Sequence, residues 1–155
     1  MRLRLLVVLA AGIVAGAAIQ AVAFGGTAAK LRKPATVHVI EHAATDTVID
    51  TGKAGDSSGD LLTFHNAVFD AADSAPAGRD QGQCIRIVAG SSWECTWTTF
   101  LPGGHITVEG PFFDTRNSVL AVTGGTGIYR NARGAMVLRS RAGGTKFDFV
   151  FRLIP

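Results

Sequence analysis

Residues 118–134 read SVLAVTGGTGIYRNARG, from Ser118 to Gly134. An apolar run, Val119–Val122, stops at Gly124-Gly125-Thr126-Gly127, and a second extended run starts near Ala132. Three glycines in four residues supply positive φ without a Cβ penalty, so the chain can reverse sharply there. Apolar runs on both sides make this a β-turn region between two strands. A phosphate cradle is the rival reading of GGTG. It fails because no Lys-Ser/Thr pair and no helix follow.

Working outward, the same punctuation recurs. Lys146–Leu153 has the cleanest alternation: Phe147, Phe149, Phe151 and Leu153 against Lys146, Asp148, Val150 and Arg152. Alternation of this kind marks a half-buried strand. Ala132–Ser140 precedes it, with Met136 and Leu138 on one face, and Ala142-Gly143-Gly144 turns between them. Upstream, His105–Gly110 and Ser118–Thr123 are extended, joined by a short connection through Phe112–Asn117. Thr36–His42 is rich in β-branched residues and places Val37, Val39 and Glu41 on one face. Asp60–Asp70 places Leu62, Phe64, Asn66 and Val68 together. Thr45–Ser58 and Asp70–Gly82 are polar and carry glycine or proline, so both read as loops.

Cys84 and Cys95 bracket CIRIVAGSSWEC, whose midpoint falls at Ala89-Gly90. A hairpin with Gln83–Val88 and Trp93–Phe100 as its arms would set the two cysteines opposite each other. It would also put Arg86, Trp93 and Trp97 on their face. Two readings follow: a disulfide across the hairpin, or two free thiols lining a cavity. An even count in an exported chain favours the bridge.

Export is indicated by the N-terminus. Arg2 and Arg4 precede an Ala/Val/Leu/Gly run from Leu5 to about Ile19, and Ala21-Val22-Ala23 has a small-x-small cleavage pattern. The expected organisation is a signal peptide at 1–23, a flexible arm at 24–35 and one β domain at 36–155, in a secreted protein. Membrane contact would come only through the N-terminal segment, if it stays uncleaved.

Composition excludes several classes. The chain has 15 Lys and Arg against 12 Asp and Glu. Without Arg2 and Arg4 the excess falls to about one, and no basic block with interleaved aromatics remains, so nucleic-acid binding is not expected. His38 and His42 share a strand face but stand about 13 Å apart at strand rise, too far to ligate one metal unaided. No metal site and no nucleophile motif for acyl transfer are expected. The strands number about eight, with turn signals between nearly all of them. The fold class is therefore all-β, a closed antiparallel barrel or a sandwich.

Four ordered segments carry a resemblance: GDLLTFHNAVFD (59–70), GQCIRI (82–87), GGHITVEGPFF (103–113) and LAVTGGTGIYRNARG (120–134). Together they resemble the allene oxide cyclase family. The last also resembles the corner of plant dirigent proteins, which share that barrel. The resemblance implies an eight-stranded antiparallel β-barrel, calycin-like, with a hydrophobic central cavity, and a homotrimer or homodimer. Allene oxide cyclases close an unstable fatty-acid epoxide into a cyclopentenone, and dirigent proteins steer phenoxy-radical coupling or related quinone-methide cyclisations. Neither needs a cofactor, so none is expected here. Carried over by position, the resemblance puts Leu62, Phe64 and Asn66 on the pocket wall. Cys84 falls at the cavity cysteine, Trp93 at an aromatic, and Phe112 where the cyclase has a tyrosine. The cyclase's acidic position is Val39 here, and Glu41 stands at its water-holding Asn.

One alternation on from Val39, Glu41 offers an inward carboxylate. Burial raises a carboxyl pKa, which suits a proton donor or base. Glu41 and Asn66 are therefore the catalytic candidates, against the alternatives of a solvated strand-end glutamate and an amide bonded to neighbouring backbone. Leu62, Phe64, Arg86, Trp93 and Phe112 are the ligand-binding candidates, with Arg86 able to take a ligand carboxylate. The expected partner is a hydrophobic small molecule. Three functions fit: an isomerase or cyclase, a non-catalytic lipocalin-like carrier of lipid or phenolic ligands, and a structural barrel with a filled core.

Overall fold

The computed structural model describes residues 35–154. The expected leader at 1–23 and all but the last residue of the arm at 24–35 lie outside the described residues. Ten strands follow in order: β1 (Ala35–His42), β2 (Thr47–Ile49), β3 (Leu61–Phe64), β4 (Ala67–Asp70), β5 (Pro76–Val88), β6 (Ser92–Leu101), β7 (Gly104–Phe113), β8 (Ser118–Gly125), β9 (Arg133–Arg141) and β10 (Lys146–Ile154). Every pairing is antiparallel. The sheet order is β2-β3-β5-β4-β1-β10-β9-β8-β7-β6, and a further β5–β6 pairing closes it. The result is a closed eight-stranded antiparallel barrel. Closure removes the long unpaired edges that an open sheet would expose.

Ten strands make eight wall positions because two of them are interrupted. β1 and β2 continue one line; β3 and β4 continue its neighbour. Between the paired His42–Ala67 and Thr47–Thr63, residues 43–46 on one line face only 64–66 on the other. The surplus residue is a bulge, which bends the strand and re-aims nearby side chains. Two expectations are corrected here. Thr45–Ser58 is not wholly loop, since β2 lies within it, and Asp60–Asp70 is broken at His65–Asn66.

The larger correction is Asp70–Gly82, where β5 already begins at Pro76. Proline is tolerated at a strand's first residue because its missing N–H leaves no ladder gap there. Gly82 is not a turn residue either. It pairs with Trp97, and a Cβ on Gly82 would collide with the Trp97 Cβ. The glycines and proline that suggest a loop thus sit inside a 13-residue strand.

The corner after β8 also differs from a simple β-turn. A single 3-10 turn spans Gly127–Tyr129. Gly127 has φ 59°, and a Cβ there would strike the Gly103 carbonyl. The Thr126 N–H donates to the His105 carbonyl at 3.0 Å and the Ile128 N–H to Gly103 at 2.9 Å. The corner therefore locks onto the β6–β7 turn as well as reversing the chain.

Inward residues fill the barrel as the alternation predicts. Val68, Val108, Leu120, Met136, Phe149 and Phe151 are almost wholly buried. On the outer face Asp148 is also buried, paired with His38 at 2.7 Å and Arg141 at 2.6 Å. Cys84 pairs with Cys95 in register and the two form a disulfide.

Candidate functional site

The bulge builds the site. Where four residues face three, the backbone ladder cannot continue, and Asn66 fills the gap. Its Oδ1 accepts from the Ala44 N–H at 3.0 Å, the Thr45 N–H at 2.9 Å and the Thr45 hydroxyl at 3.0 Å. Its Nδ2 donates to Glu41 Oε1 and to Asp46 Oδ1, both at 2.8 Å. Its backbone N–H donates to Asp80 Oδ1 at 3.0 Å. One amide thus engages nearly all of its hydrogen-bonding capacity. Asn66 is 3% exposed, so leaving these bonds unmade would be costly.

Three carboxyl groups converge on Asn66. Glu41 comes from the end of β1, Asp46 from the bulge and Asp80 from β5. Glu41 is 5% exposed and Asp80 0%. Burial raises the Glu41 pKa well above its ordinary value, and the nearby Asp80 charge raises it further. Burial also pushes Asp80 up, to about 6. The two acids lie within hydrogen-bonding reach of each other. Asp80 Oδ2 has no N–H or hydroxyl donor. Two like charges this close in a low dielectric hold one proton between them. Burial and mutual repulsion thus both favour keeping a proton on the pair.

Glu41 and Asp46 line a chamber of about 40 Å³ inside the barrel. Its apolar walls include Leu62, Phe64, Trp97, Phe112, Phe147 and Phe149, and the Cys84–Cys95 bridge forms part of the same surface. Asp80 is not on that wall and stands behind Glu41. The structure therefore brings Glu41, Leu62, Phe64, Cys84, Cys95 and Phe112 to one chamber, with Asn66 holding Glu41 in place. The volume is that of a small group, not of a whole ring system.

Arg86 and Trp93 are placed differently. Both are buried on the inward face, and the Arg86 guanidinium lies 3.9 Å over the Trp93 ring. Neither lines the chamber. The Arg86 guanidinium pairs with Asp56 and with Asp114, each at 2.6 Å. Arg86 is thus engaged by two acids and pins the segment carrying Asp56 to the β7–β8 connection. That segment is closed on itself by buried Asp60, which accepts from the Thr51 N–H at 2.9 Å and the Ser57 N–H at 2.8 Å. Those N–H bonds hold the Asp60 pKa below its ordinary value.

Asp46 and Asp80 are the site residues that sequence reasoning missed. For Asp80 a signal was present. Counting back by twos from Cys84 through Gly82 puts Asp80 on the inward face. Asp46 carries no such signal, because only the bulge turns it toward Asn66. Among the described residues no three His, Cys, Asp or Glu side chains are placed to hold one metal ion.

Comparison with known proteins agrees with this architecture. The profile of the allene oxide cyclase family matches residues 36–154. Among solved structures, a pyocyanin demethylase superposes with a TM-score of 0.65 at 24% identity, covering 76% of this chain and 100% of that one. A pterocarpan synthase dirigent protein gives 0.65 at 16% identity, covering 81% and 97%. An exo-specific intermolecular Diels-Alderase gives 0.63 at 15%, covering 79% and 98%. At these identities the likeness is one of fold.

Proposed function

The chain belongs to the allene oxide cyclase family, and from that premise we propose that it is an exported isomerase or cyclase that moves a proton on a hydrophobic small molecule held in the barrel. The observation that carries this reading is Glu41. It is a buried carboxyl that lines an apolar chamber, is held by Asn66 at 2.8 Å and has a pKa raised by burial and by the neighbouring Asp80. A group of this kind can give a proton and recover it without outside help. Glu41 presents the acid form while Asp80 is ionised; when the proton shifts to Asp80, Glu41 presents the base form. Export is supported by the disulfide, which persists in oxidising compartments.

The chamber's size, about 40 Å³, favours a second reading, a barrel whose core is filled and whose role is structural. Native mass spectrometry of protein from its producing cells separates the two. A co-purified hydrophobic ligand supports the first reading and its absence the second. With that ligand identified, Glu41→Gln is expected to abolish its conversion while leaving it bound. Unchanged conversion removes the catalytic role of Glu41.

A further inference from the structure

A second hollow, of about 940 Å³, is lined by Ala35 and Val37 of β1, Leu153 and Ile154 of β10, and the corner residues Ile128 and Arg130. Val37 and Glu41 share the inward face of β1 but stand about 13 Å apart at strand rise, with buried Val39 between them. The two hollows therefore lie toward opposite ends of β1. The corner wall is already set. The Ile128 N–H donates to the Gly103 carbonyl and the Ala132 N–H to the Tyr129 carbonyl, each at 2.9 Å, while Tyr129 packs against the core. A preformed hollow of this volume admits a whole small molecule, which the 40 Å³ chamber does not.

Charge decides what suits it. Among the described residues no Asp or Glu lines this hollow, whereas Arg130 and Arg133 do. Arg130 is exposed and forms no ion pair among the described residues. From Asn117 to Ile154 the chain has six Lys and Arg and one acid, Asp148. That acid is already paired with His38 and Arg141. In sequence, Lys30, Arg32 and Lys33 stand just before Ala35 and carry the same sign as Arg130. An anion is therefore drawn to this end, with no carboxylate on the wall to oppose it. Much of the remaining wall is apolar. Val37 and Leu153 are half-buried, and Ile128 and Ile154 are 60% and 56% exposed. Large aliphatics left bare around a concave surface mark a binding groove. A small bare anion would leave them in water. A neutral apolar guest would cover Arg130 without giving it an acceptor.

We propose that this hollow binds a single-chain amphiphile with an anionic head, its carboxylate on Arg130 and its alkyl chain along Val37, Ile128, Leu153 and Ile154. The guanidinium fork matches the two head oxygens and holds them side by side. The chain covers the aliphatics that the fold leaves bare. No bond is made or broken, and Glu41 takes no part. The site therefore stands apart from the proton-carrier reading above, and either can fail without the other.

The test is an amide-shift titration of the ¹⁵N-labelled full chain with decanoate, decyltrimethylammonium and acetate, each below its micelle-forming concentration. Decanoate should move the signals of Gly124, Gly125, Ile128 and Arg130 and leave those of Leu62 and Phe64 in place. The cation, which has the chain without the anionic head, and acetate, which has the head without the chain, should both bind more weakly. Arg130→Gln should weaken decanoate about three- to tenfold. Arg139→Gln, which removes an exposed arginine that does not line the hollow, should leave it unchanged. Both side chains are exposed, so neither change burdens folding. A cation that binds as tightly, equal weakening by the two variants, or shifts at Leu62 and Phe64 instead overturns the proposal. Phosphatidylglycerol vesicles that bind the chain while decanoate shifts nothing would make this end a membrane contact and overturn it as well.

Discussion

Thr45 and His65 exchange two hydrogen bonds across the gap in the ladder. The His65 N–H donates to the Thr45 hydroxyl at 2.9 Å, and the single proton of that hydroxyl is shared between the His65 carbonyl at 2.8 Å and Asn66 Oδ1 at 3.0 Å. A side chain here does what backbone does elsewhere in the wall. The same is true of Asn66 one residue on, so the bulge is held by side chains that substitution can remove singly.

Thr45→Val keeps the shape and deletes the hydroxyl, with an expected loss of about 1 kcal/mol. Asn66→Ala strands the Ala44 and Thr45 N–H groups and frees Glu41, with an expected loss of about 3 kcal/mol. Urea unfolding at constant pH measures both. Because the Thr45 hydroxyl donates to Asn66, the double variant should lose less than the sum. Strict additivity would show that the two residues do not act as one unit.

The carboxyl pair sets a pH dependence of unusual sign. Asp80 titrates near 3.9 when unfolded and at about 6 when folded, and Glu41 is raised as well. The folded state therefore holds more protons than the unfolded state between about pH 4 and 6. Stability contributed by the pair is full below the unfolded value and falls as pH rises through that window. For Asp80 the loss is about 3 kcal/mol. Asp80→Asn can still accept from the Asn66 N–H, so it should gain about that much at pH 7 and nothing at pH 4. Thermal melts across pH 4–8 would show a flatter curve for the variant; parallel curves would refute the assignment.

The strands and their inward faces were legible in the sequence for definite reasons, while closure into a barrel followed from the family resemblance. Phe147, Phe149 and Phe151 alternate cleanly, so their strand and its inward face follow from period alone. Glu41 follows from Val37 and Val39 by the same count. The Cys84–Cys95 register follows from the hairpin's midpoint. The limit came where two signals conflict. Pro76, Gly78 and Gly82 punctuate a stretch that long-range pairing with β6 and β4 keeps extended, and so Asp80 was hidden. Arg86 stays on the face of Cys84, where the hairpin pairing puts it, and does not slip to solvent, but its acid partners Asp56 and Asp114 lie 30 residues before it and 28 after it in the chain. No local pattern joins groups at that separation.

Arg86→Met tests what those partners do. It keeps an apolar stem and removes both the guanidinium over Trp93 and the charge shared by Asp56 and Asp114. Amide exchange of residues 50–59 should quicken at least severalfold, while exchange of β8, β9 and β10 stays unchanged. Equal acceleration across the barrel would mean that Arg86 supports the whole fold.

Cys84→Ser with Cys95→Ser should lower stability by about 3 kcal/mol, the chain-entropy value for a loop of this length. Guanidinium titration without reductant measures it. A loss near zero would mean that the hairpin register is already fixed by its other pairs, Gln83–Thr96 and Arg86–Trp93 among them.

That bridge has a chemical consequence as well. Both sulfurs belong to residues on the wall of the chamber. They are the chain's only two cysteines. Oxidised, they offer no soft nucleophile to an electrophile that reached the wall. Reduced, the same wall would present two thiols open to alkylation. An oxidising surrounding would thus keep the chamber wall inert.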